Sequence, residues 1–133
     1  MSTKSNRVMQ VCFLSVCLVL TGCSTRVRQT NLYGNYIASY PFGKEELTLN
    51  RDDTFVQTVA VNGQAAAVSR GSWRFDSVHS QVKFYGLMRV ADGFGQLRDD
   101  WRTIPPEPTG ALPAELLWFR VELGGGDYTY VKQ

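Results

Sequence analysis

Residue types that support catalysis are sparse in this chain of 133 residues. Its one histidine, His79, stands in the turn-like stretch Ser77-Val78-His79-Ser80. A serine hydrolase needs such a base held against a separate nucleophile, with a third group that orients the base. A lone histidine in a turn is more typical of a solvent-exposed side chain. With a single histidine and no cysteine after position 23, a zinc site is not expected.

Three acidic doublets, Glu45-Glu46, Asp52-Asp53 and Asp99-Asp100, could be read as acid–base pairs. Neighbouring residues on a strand point to opposite faces, however, so a doublet does not form one shared carboxylate site. A glycosidase would need two carboxyl groups about 5 to 10 Å apart across a cleft. We therefore predict turns and solvated edges at all three doublets. The sequence predicts no catalytic residue, no cofactor and no metal site.

All three cysteines lie in the first 23 residues, at positions 12, 17 and 23, so they cannot cross-link the rest of the chain. Lys4 and Arg7 precede a mostly apolar run of 13 residues at positions 8–20. As a helix, this run would reach about 20 Å, which is shorter than the hydrocarbon core of about 30 Å. It therefore predicts the apolar part of a signal peptide and not a permanent membrane span.

The apolar run ends in Leu20-Thr21-Gly22-Cys23, and Ser24 follows. This tetrapeptide resembles the lipobox of bacterial lipoprotein precursors. The resemblance implies cleavage between Gly22 and Cys23, a diacylglyceryl group on the Cys23 sulfur, and a further acyl group such as palmitate on its amine. Two or more acyl chains anchor a protein stably without a membrane span. The alternative is an ordinary signal peptide with a cysteine near its cleavage site.

These features divide the chain into a signal peptide that is removed (1–22), a lipidated tether (23–30) and a single domain (31–133). Residues 23–133 contain 12 basic and 12 acidic residues, a balance that excludes the broad basic face of nucleic-acid-binding proteins. In the tether, Arg26 and Arg28 either contact anionic lipid head groups or are simply solvated. Serine instead of aspartate after Cys23 resembles lipoproteins passed on to the outer membrane, where the domain would face the periplasm.

From residue 31 onward, apolar and polar residues alternate with a period of two, which is typical of half-buried antiparallel strands. In one run, Phe55, Gln57 and Val59 share a face. Turn-forming residues separate the runs, and Asn62-Gly63 is the strongest hairpin signal among them. The pattern predicts strands at about 33–40, 45–50, 54–61, 67–75, 81–90, 116–123 and 127–132.

The predicted fold class is all-β. Seven or eight sequential strands with short connections favour an antiparallel up-and-down meander, which removes its exposed edges by closing, fully or partly, into a small barrel. The order Gly34-x-Tyr36, Leu47-x-Leu49, Asp53-Thr54-Phe55 and Gly71-Ser72-Trp73 resembles small lipocalin-like domains of bacterial lipoproteins. The resemblance covers about residues 34–86 and implies a fold more than a function.

The stretch 92–115 lacks strand alternation and is long for a loop within a compact domain. Its prolines favour extended backbone. It also carries apolar side chains that have to be buried somewhere: Phe94, Leu97, Trp101, Ile104 and Leu112. One interpretation is a plug on the open end of the barrel, and another is a lid or a partner-docking surface. A disordered segment is the third.

The remaining aromatic residues, Trp118 and Phe119 included, are interpreted as core fillers first and as a ligand lining second. Tyr36, Trp73, Phe94 and Trp101 are the candidate contacts for a ligand or partner. The leading hypothesis is a non-enzymatic binding or scaffolding domain, held on the membrane by its lipid anchor. Its partner would be another envelope protein or a small apolar ligand inside the barrel. The alternative is a periplasmic hydrolase with an unrecognised active site.

Overall fold

A computed structural model describes residues 26–92, 94–126 and 128–133. The predicted signal peptide, the cleavage site at Gly22-Cys23 and the lipid attachment at Cys23 lie outside the described residues. Within those residues, one short helix, α1 (Gln29–Leu32), precedes eight strands. None of the helical structure in this part of the chain is long and apolar enough to cross a bilayer. The strands are β1 (Gly34–Tyr40), β2 (Gly43–Leu49), β3 (Thr54–Val61), β4 (Ala67–Asp76), β5 (Gln81–Tyr85), β6 (Gly110–Leu117), β7 (Arg120–Gly125) and β8 (Tyr128–Lys132).

The eight strands form a closed barrel. Each strand pairs antiparallel with the next one along the chain, and β8 pairs back to β1. The closing pair sets Tyr36 opposite Lys132 and Ile37 opposite Val131. Closure satisfies the backbone groups that an open sheet would leave at its edges. The predicted all-β class, the up-and-down meander and the closed form of the barrel are confirmed.

One predicted strand, 116–123, is wrong. It is a hairpin in which β6 ends at Leu117, β7 begins at Arg120, and Trp118 and Phe119 form a two-residue turn. The turn was missed because such turns usually carry Asn-Gly or similar residues that tolerate positive φ, whereas this one carries two aromatic residues. The sequence therefore favours one continuous strand, in which Leu117, Phe119, Val121 and Leu123 alternate with Trp118, Arg120 and Glu122.

The irregular segment after β5 spans residues 86–109 instead of the predicted 92–115, since the predicted strand 81–90 ends at Tyr85. At its other end the segment gives way to β6, which contains Pro113 opposite Gln81 of β5. Proline cannot donate a hydrogen bond to a neighbouring strand, and it usually argues against a strand assignment. For this reason the sequence predicts a loop over residues 110–115, where the structure has most of β6.

Alternate connections of an up-and-down meander lie at opposite ends of the barrel. The segment before β1, which includes α1, shares one end with the turns 50–53, 77–80 and 118–119; we call this the N-terminal end. The turns 41–42 and 62–66 share the other end with the segment 86–109; we call this the distal end.

Inward-facing aromatic side chains fill much of the barrel. Tyr36, Phe55, Trp73, Phe84 and Tyr130 are each no more than 2% exposed. The rings of Phe55 and Phe84 meet edge to face, with centroids 5.4 Å apart. At the N-terminal end, α1 buries Leu32 against this core, and the Tyr36 hydroxyl donates a hydrogen bond of 2.6 Å to the Leu32 carbonyl. The short helix therefore covers one end of the barrel.

Substitution of Trp73 tests the packing of this core. The indole Nε1 donates to the Asn50 carbonyl at 3.2 Å, and the indole ring meets Tyr33 edge to face at 5.8 Å. We expect Trp73→Ala to lower the free energy of unfolding by about 3–5 kcal/mol, as measured by urea denaturation, because it leaves a large cavity. Trp118→Ala is the matched control and should change this free energy by less than about 0.5 kcal/mol. Equal effects of the two substitutions would contradict the described core.

Candidate functional site

A carboxylate lies inside the barrel. Glu45 of β2 faces inward and is 1% exposed, whereas the side chain of Glu46 is half exposed and pairs with Lys44 on the outer surface. The prediction that the doublet Glu45-Glu46 lies at a solvated edge is therefore wrong for Glu45. Alternation along the strand, which separates the two carboxylates, also directs one of them into the interior.

Three side chains surround the Oε2 atom of Glu45. Gln57 Nε2 donates to it at 2.7 Å, the Tyr130 hydroxyl donates to it at close range, and the Tyr128 hydroxyl lies 3.5 Å away. The two tyrosine hydroxyls are themselves 3.2 Å apart. Among the residues that the structure describes, Glu45 Oε1 and the nearby Tyr40 hydroxyl are buried without a hydrogen-bond partner. We call these five residues the interior polar cluster.

Burial raises the pKa of Glu45 above its ordinary value of 4.5, because the interior solvates a negative charge poorly. Hydrogen bonds from Tyr130 and Gln57 favour the charged form and offset part of this effect. Burial also raises the pKa values of the Tyr128 and Tyr130 hydroxyls, and the neighbouring Glu45 adds to the increase. These hydroxyls thus keep their protons and act as donors to the carboxylate.

Gln57 connects the cluster to the segment 86–109. Its Nε2 also donates to the Met88 carbonyl at 2.9 Å, and its Oε1 accepts from the Met88 N–H at 2.8 Å. One side-chain amide thereby satisfies both backbone groups of Met88. Since the same Nε2 bonds to Glu45, a single side chain contacts both the carboxyl group and the segment.

Trp101 packs on the distal end of the barrel. It is 4% exposed and belongs to a cluster with Val59, Val61 and Val90. The guanidinium of Arg102 lies 4.5 Å from the centroid of the indole ring, within cation–π distance. This packing supports the interpretation of the segment as a plug over that of an open lid.

The four candidate contacts predicted from the sequence do not converge on one site. Tyr36 and Trp73 lie in the barrel core near α1, whereas Trp101 is buried in the segment 86–109. Phe94 lies in the same segment and is 81% exposed, so the expectation that its side chain is buried is wrong. Their roles as ligand or partner contacts stay predictions.

His79 lies in the turn 77–80 with its side chain 68% exposed, and its Nδ1 is 3.0 Å from Asp76 Oδ2. Asp76 also accepts hydrogen bonds from the backbone N–H groups of Val78 and His79 and from Lys83 Nζ. The hydrogen bonds from His79 and Lys83 hold the pKa of Asp76 well below its usual range. The Ser80 hydroxyl donates to the Ala114 carbonyl at 2.6 Å, so its proton is not directed at His79. The pair of Asp76 and His79 therefore stabilises the turn.

Within residues 26–92, 94–126 and 128–133, no group of three His, Cys, Asp or Glu side chains is placed to hold a metal ion.

The N-terminal end carries two open clefts. One has a volume of about 680 Å³ and is lined by Asn31, Lys132 and the turn residues Trp118 and Phe119, among others. The other has a volume of about 1250 Å³, and its lining includes Arg26, Arg28, Phe75 and Val78. Leu116 lines both clefts, so they form one continuous surface.

Trp118 and Phe119 are 95% and 96% exposed, so the prediction that they fill the core is wrong. Both lie in the turn between β6 and β7, where the side chains project away from the barrel. The sequence does contain a signal for this, because residues 116–119 are four consecutive apolar residues. A half-buried strand would alternate at these positions.

Comparison of the chain with protein-family models, with curated proteins and with solved structures finds no match. The resemblances to lipoprotein precursors and to lipocalin-like domains therefore stay predictions from the sequence. The polar interior and the apolar N-terminal end have to be interpreted from their own contacts.

The interior polar cluster predicts how stability depends on pH. Because folding raises the pKa of Glu45, the folded protein retains a proton that the unfolded chain loses above about pH 4.5. The contribution of Glu45 to the free energy of unfolding therefore becomes less favourable as the pH rises from 4.5 through the raised pKa. We expect the melting temperature of Glu45→Gln, relative to the unsubstituted protein, to increase between about pH 4 and pH 8.

Glu46→Gln is the matched control, since it makes the same chemical change at the adjacent, exposed position. Its melting temperature relative to the unsubstituted protein should vary much less over the same pH range. A difference for Glu45→Gln that stays constant or shrinks with rising pH would show that burial of Glu45 does not control its ionisation.

The packing of Trp101 predicts a second contrast within the segment 86–109. Trp101→Ala should lower the melting temperature by roughly 10 °C or more, because loss of a buried indole costs about 3–5 kcal/mol in a domain of this size. Phe94→Ala, at the exposed position of the same segment, should leave the melting temperature nearly unchanged. Differential scanning calorimetry of both variants measures the contrast, and similar melting temperatures would contradict the packing described for Trp101.

Proposed function

We propose that this chain is a lipoprotein of the bacterial cell envelope, and that its barrel is a non-enzymatic binding or scaffolding domain anchored through acyl groups on Cys23. The observation that carries the proposal is the box Leu20-Thr21-Gly22-Cys23 directly after the apolar residues 8–20. Ser24, which follows the box, supports the outer membrane as the final location, with the barrel on its periplasmic side.

The way in which the chain joins the barrel supports an anchored body. Val27 is half-buried against the core, and α1 begins two residues later. Cys23 is three residues before Arg26, and three residues span at most about 11 Å. An acyl group on Cys23 would therefore hold the N-terminal end of the barrel close to the membrane.

The packing inside the barrel supports a partner that binds on the surface. Large interior side chains pack against one another, as the edge-to-face contact of Phe55 with Phe84 illustrates. The polar half of the interior is bonded through Gln57 to the segment 86–109. We infer that another envelope protein is a better candidate partner than a small apolar ligand held among these side chains.

Metabolic labelling with palmitate tests the anchor. In a Gram-negative host that expresses the full chain, we expect the protein to incorporate label and to be cleaved before Cys23. Cys23→Ser should lose the label and should not be processed at that position, because no other residue of the box carries a thiol. Cys17→Ser is the matched control, as it removes a cysteine of the apolar run and should retain full labelling.

Label that persists in Cys23→Ser would overturn the assignment of the anchor. Cleavage of the unsubstituted chain at a different position, without incorporation of palmitate, would show an ordinary signal peptide. Affinity purification of the labelled protein then tests the binding role, and we expect it to recover another envelope protein. An apolar small molecule that stays bound to the barrel in native mass spectrometry, with no protein recovered, would contradict a protein partner.

A further inference from the structure

The turn between β6 and β7 places two aromatic side chains in water. Trp118 and Phe119 have φ values of 49° and 68°, in the left-handed region that bulky residues seldom adopt. They are 95% and 96% exposed, so packing within the barrel does not offset this backbone cost. Neither the conformation nor the exposure stabilises the isolated fold. The pair is therefore suited to a contact outside the barrel.

Other exposed apolar residues lie at the same end. Val78, in the turn 77–80, is 85% exposed, and Leu117 is 44% exposed. The clefts join these turns into one surface, because Leu116 lines both of them. We call Val78, Leu117, Trp118 and Phe119 the apolar rim. A soluble monomer rarely exposes so many large apolar side chains at one end without a partner for them.

The chain that leads to Cys23 leaves the barrel beside the apolar rim. Arg26 and Arg28 line the same cleft as Val78, and Asn31 lines the same cleft as Trp118 and Phe119. With Cys23 at most about 11 Å from Arg26, a lipid attached there would enter a bilayer next to the rim. The position of this attachment selects a lipid surface as the occupant of the rim over a second protein.

Residue chemistry at this end matches the interface between lipid and water. Tryptophan is enriched at that interface, where its ring contacts the acyl boundary and its N–H stays hydrated. Four cationic side chains line the clefts beside the rim: Arg26, Arg28, Arg120 and Lys132. Arg51, Asp52 and Asp53 lie in the turn 50–53 at the same end, so the net positive charge is modest. We therefore expect contact by the aromatic side chains to provide most of the attraction.

We propose that the N-terminal end of the barrel is a membrane-docking surface, on which Trp118 and Phe119 insert into the head-group region of the bilayer that holds the lipid anchor. The inference rests on the proposed lipidation of Cys23. It fixes the orientation of the barrel: the apolar rim faces the bilayer, and the segment 86–109 at the distal end faces away from it.

Quenching of tryptophan fluorescence by brominated lipid tests this orientation. The full chain, processed in a bacterial host, is reconstituted in phosphatidylethanolamine–phosphatidylglycerol vesicles with or without bromine on the acyl chains. Subtracting the emission of Trp118→Phe from that of the unsubstituted protein isolates Trp118, because Trp73 and Trp101 are common to both. We expect brominated lipid to remove most of the Trp118 emission, and added salt to change this loss little.

The double variant Trp118→Phe with Phe94→Trp is the matched control, since it moves the exposed tryptophan to the distal end. The tryptophan introduced by this change should emit equally in both kinds of vesicle. If brominated lipid quenches it as strongly as it quenches Trp118, the barrel has no fixed face on the bilayer and the proposal is overturned. A blue-shifted Trp118 emission that brominated lipid does not quench would indicate burial against a second copy and would also overturn it.

Palmitate incorporation in the same preparations separates this inference from the proposed function. Quenching of Trp118 without palmitate on Cys23 would contradict the proposed lipid anchor but would support docking through the apolar rim alone. If Cys23 carries palmitate and brominated lipid leaves the Trp118 emission unchanged, the proposed lipid anchor is supported and the proposed docking surface is overturned.

Discussion

The closing pair between β1 and β8 is the constraint on which the rest of the structure depends. Only when these strands meet does every strand have two neighbours, and only then is there an enclosed interior. The register is short, with Tyr36 opposite Lys132 and Ile37 opposite Val131. Contacts beyond the sheet extend it, because Gln133 N–H donates to the Asn35 carbonyl at 2.9 Å and Lys132 Nζ donates to the Asn31 carbonyl.

Closure divides the interior into two chemically different halves. Near α1 the buried side chains that the structure describes are apolar and aromatic, with Tyr36 contributing a hydroxyl. Toward the distal end the interior polar cluster places Glu45 among hydroxyl and amide donors. A buried polar network is costly when one member lacks a partner, and it confers specificity when its members are bonded. Gln57 is central to it, since the same amide bonds to the carboxylate and to Met88.

Much of the barrel could be predicted from the sequence because period-two alternation and turn residues are local signals. Asn62-Gly63 marks a turn since both residues tolerate positive φ, and it lies in the turn 62–66 as predicted. Trp118-Phe119 makes a turn against its local preference. The four consecutive apolar residues at 116–119 indicate that no half-buried strand continues there, but only the pairing of β6 with β7 places the turn. The inward direction of Glu45 follows from alternation with Leu47 and Leu49. The donors that surround the buried carboxylate, Gln57 of β3 and Tyr130 of β8, are remote in sequence, so the local pattern does not predict them. The proposed role of Cys23 rests on its sequence context alone.

The even number of strands has a consequence for probes attached to the protein. In a closed meander of eight strands, β8 returns to the end at which β1 began, so Gln133 lies beside the residues that lead to the barrel. A fluorescent protein or affinity tag fused after Gln133 would therefore crowd the apolar rim, since Gln133 lines the same cleft as Trp118 and Phe119. An insertion at Asn62-Gly63, in an exposed turn at the opposite end, would lie roughly 20 Å away along the strands and leave that surface accessible.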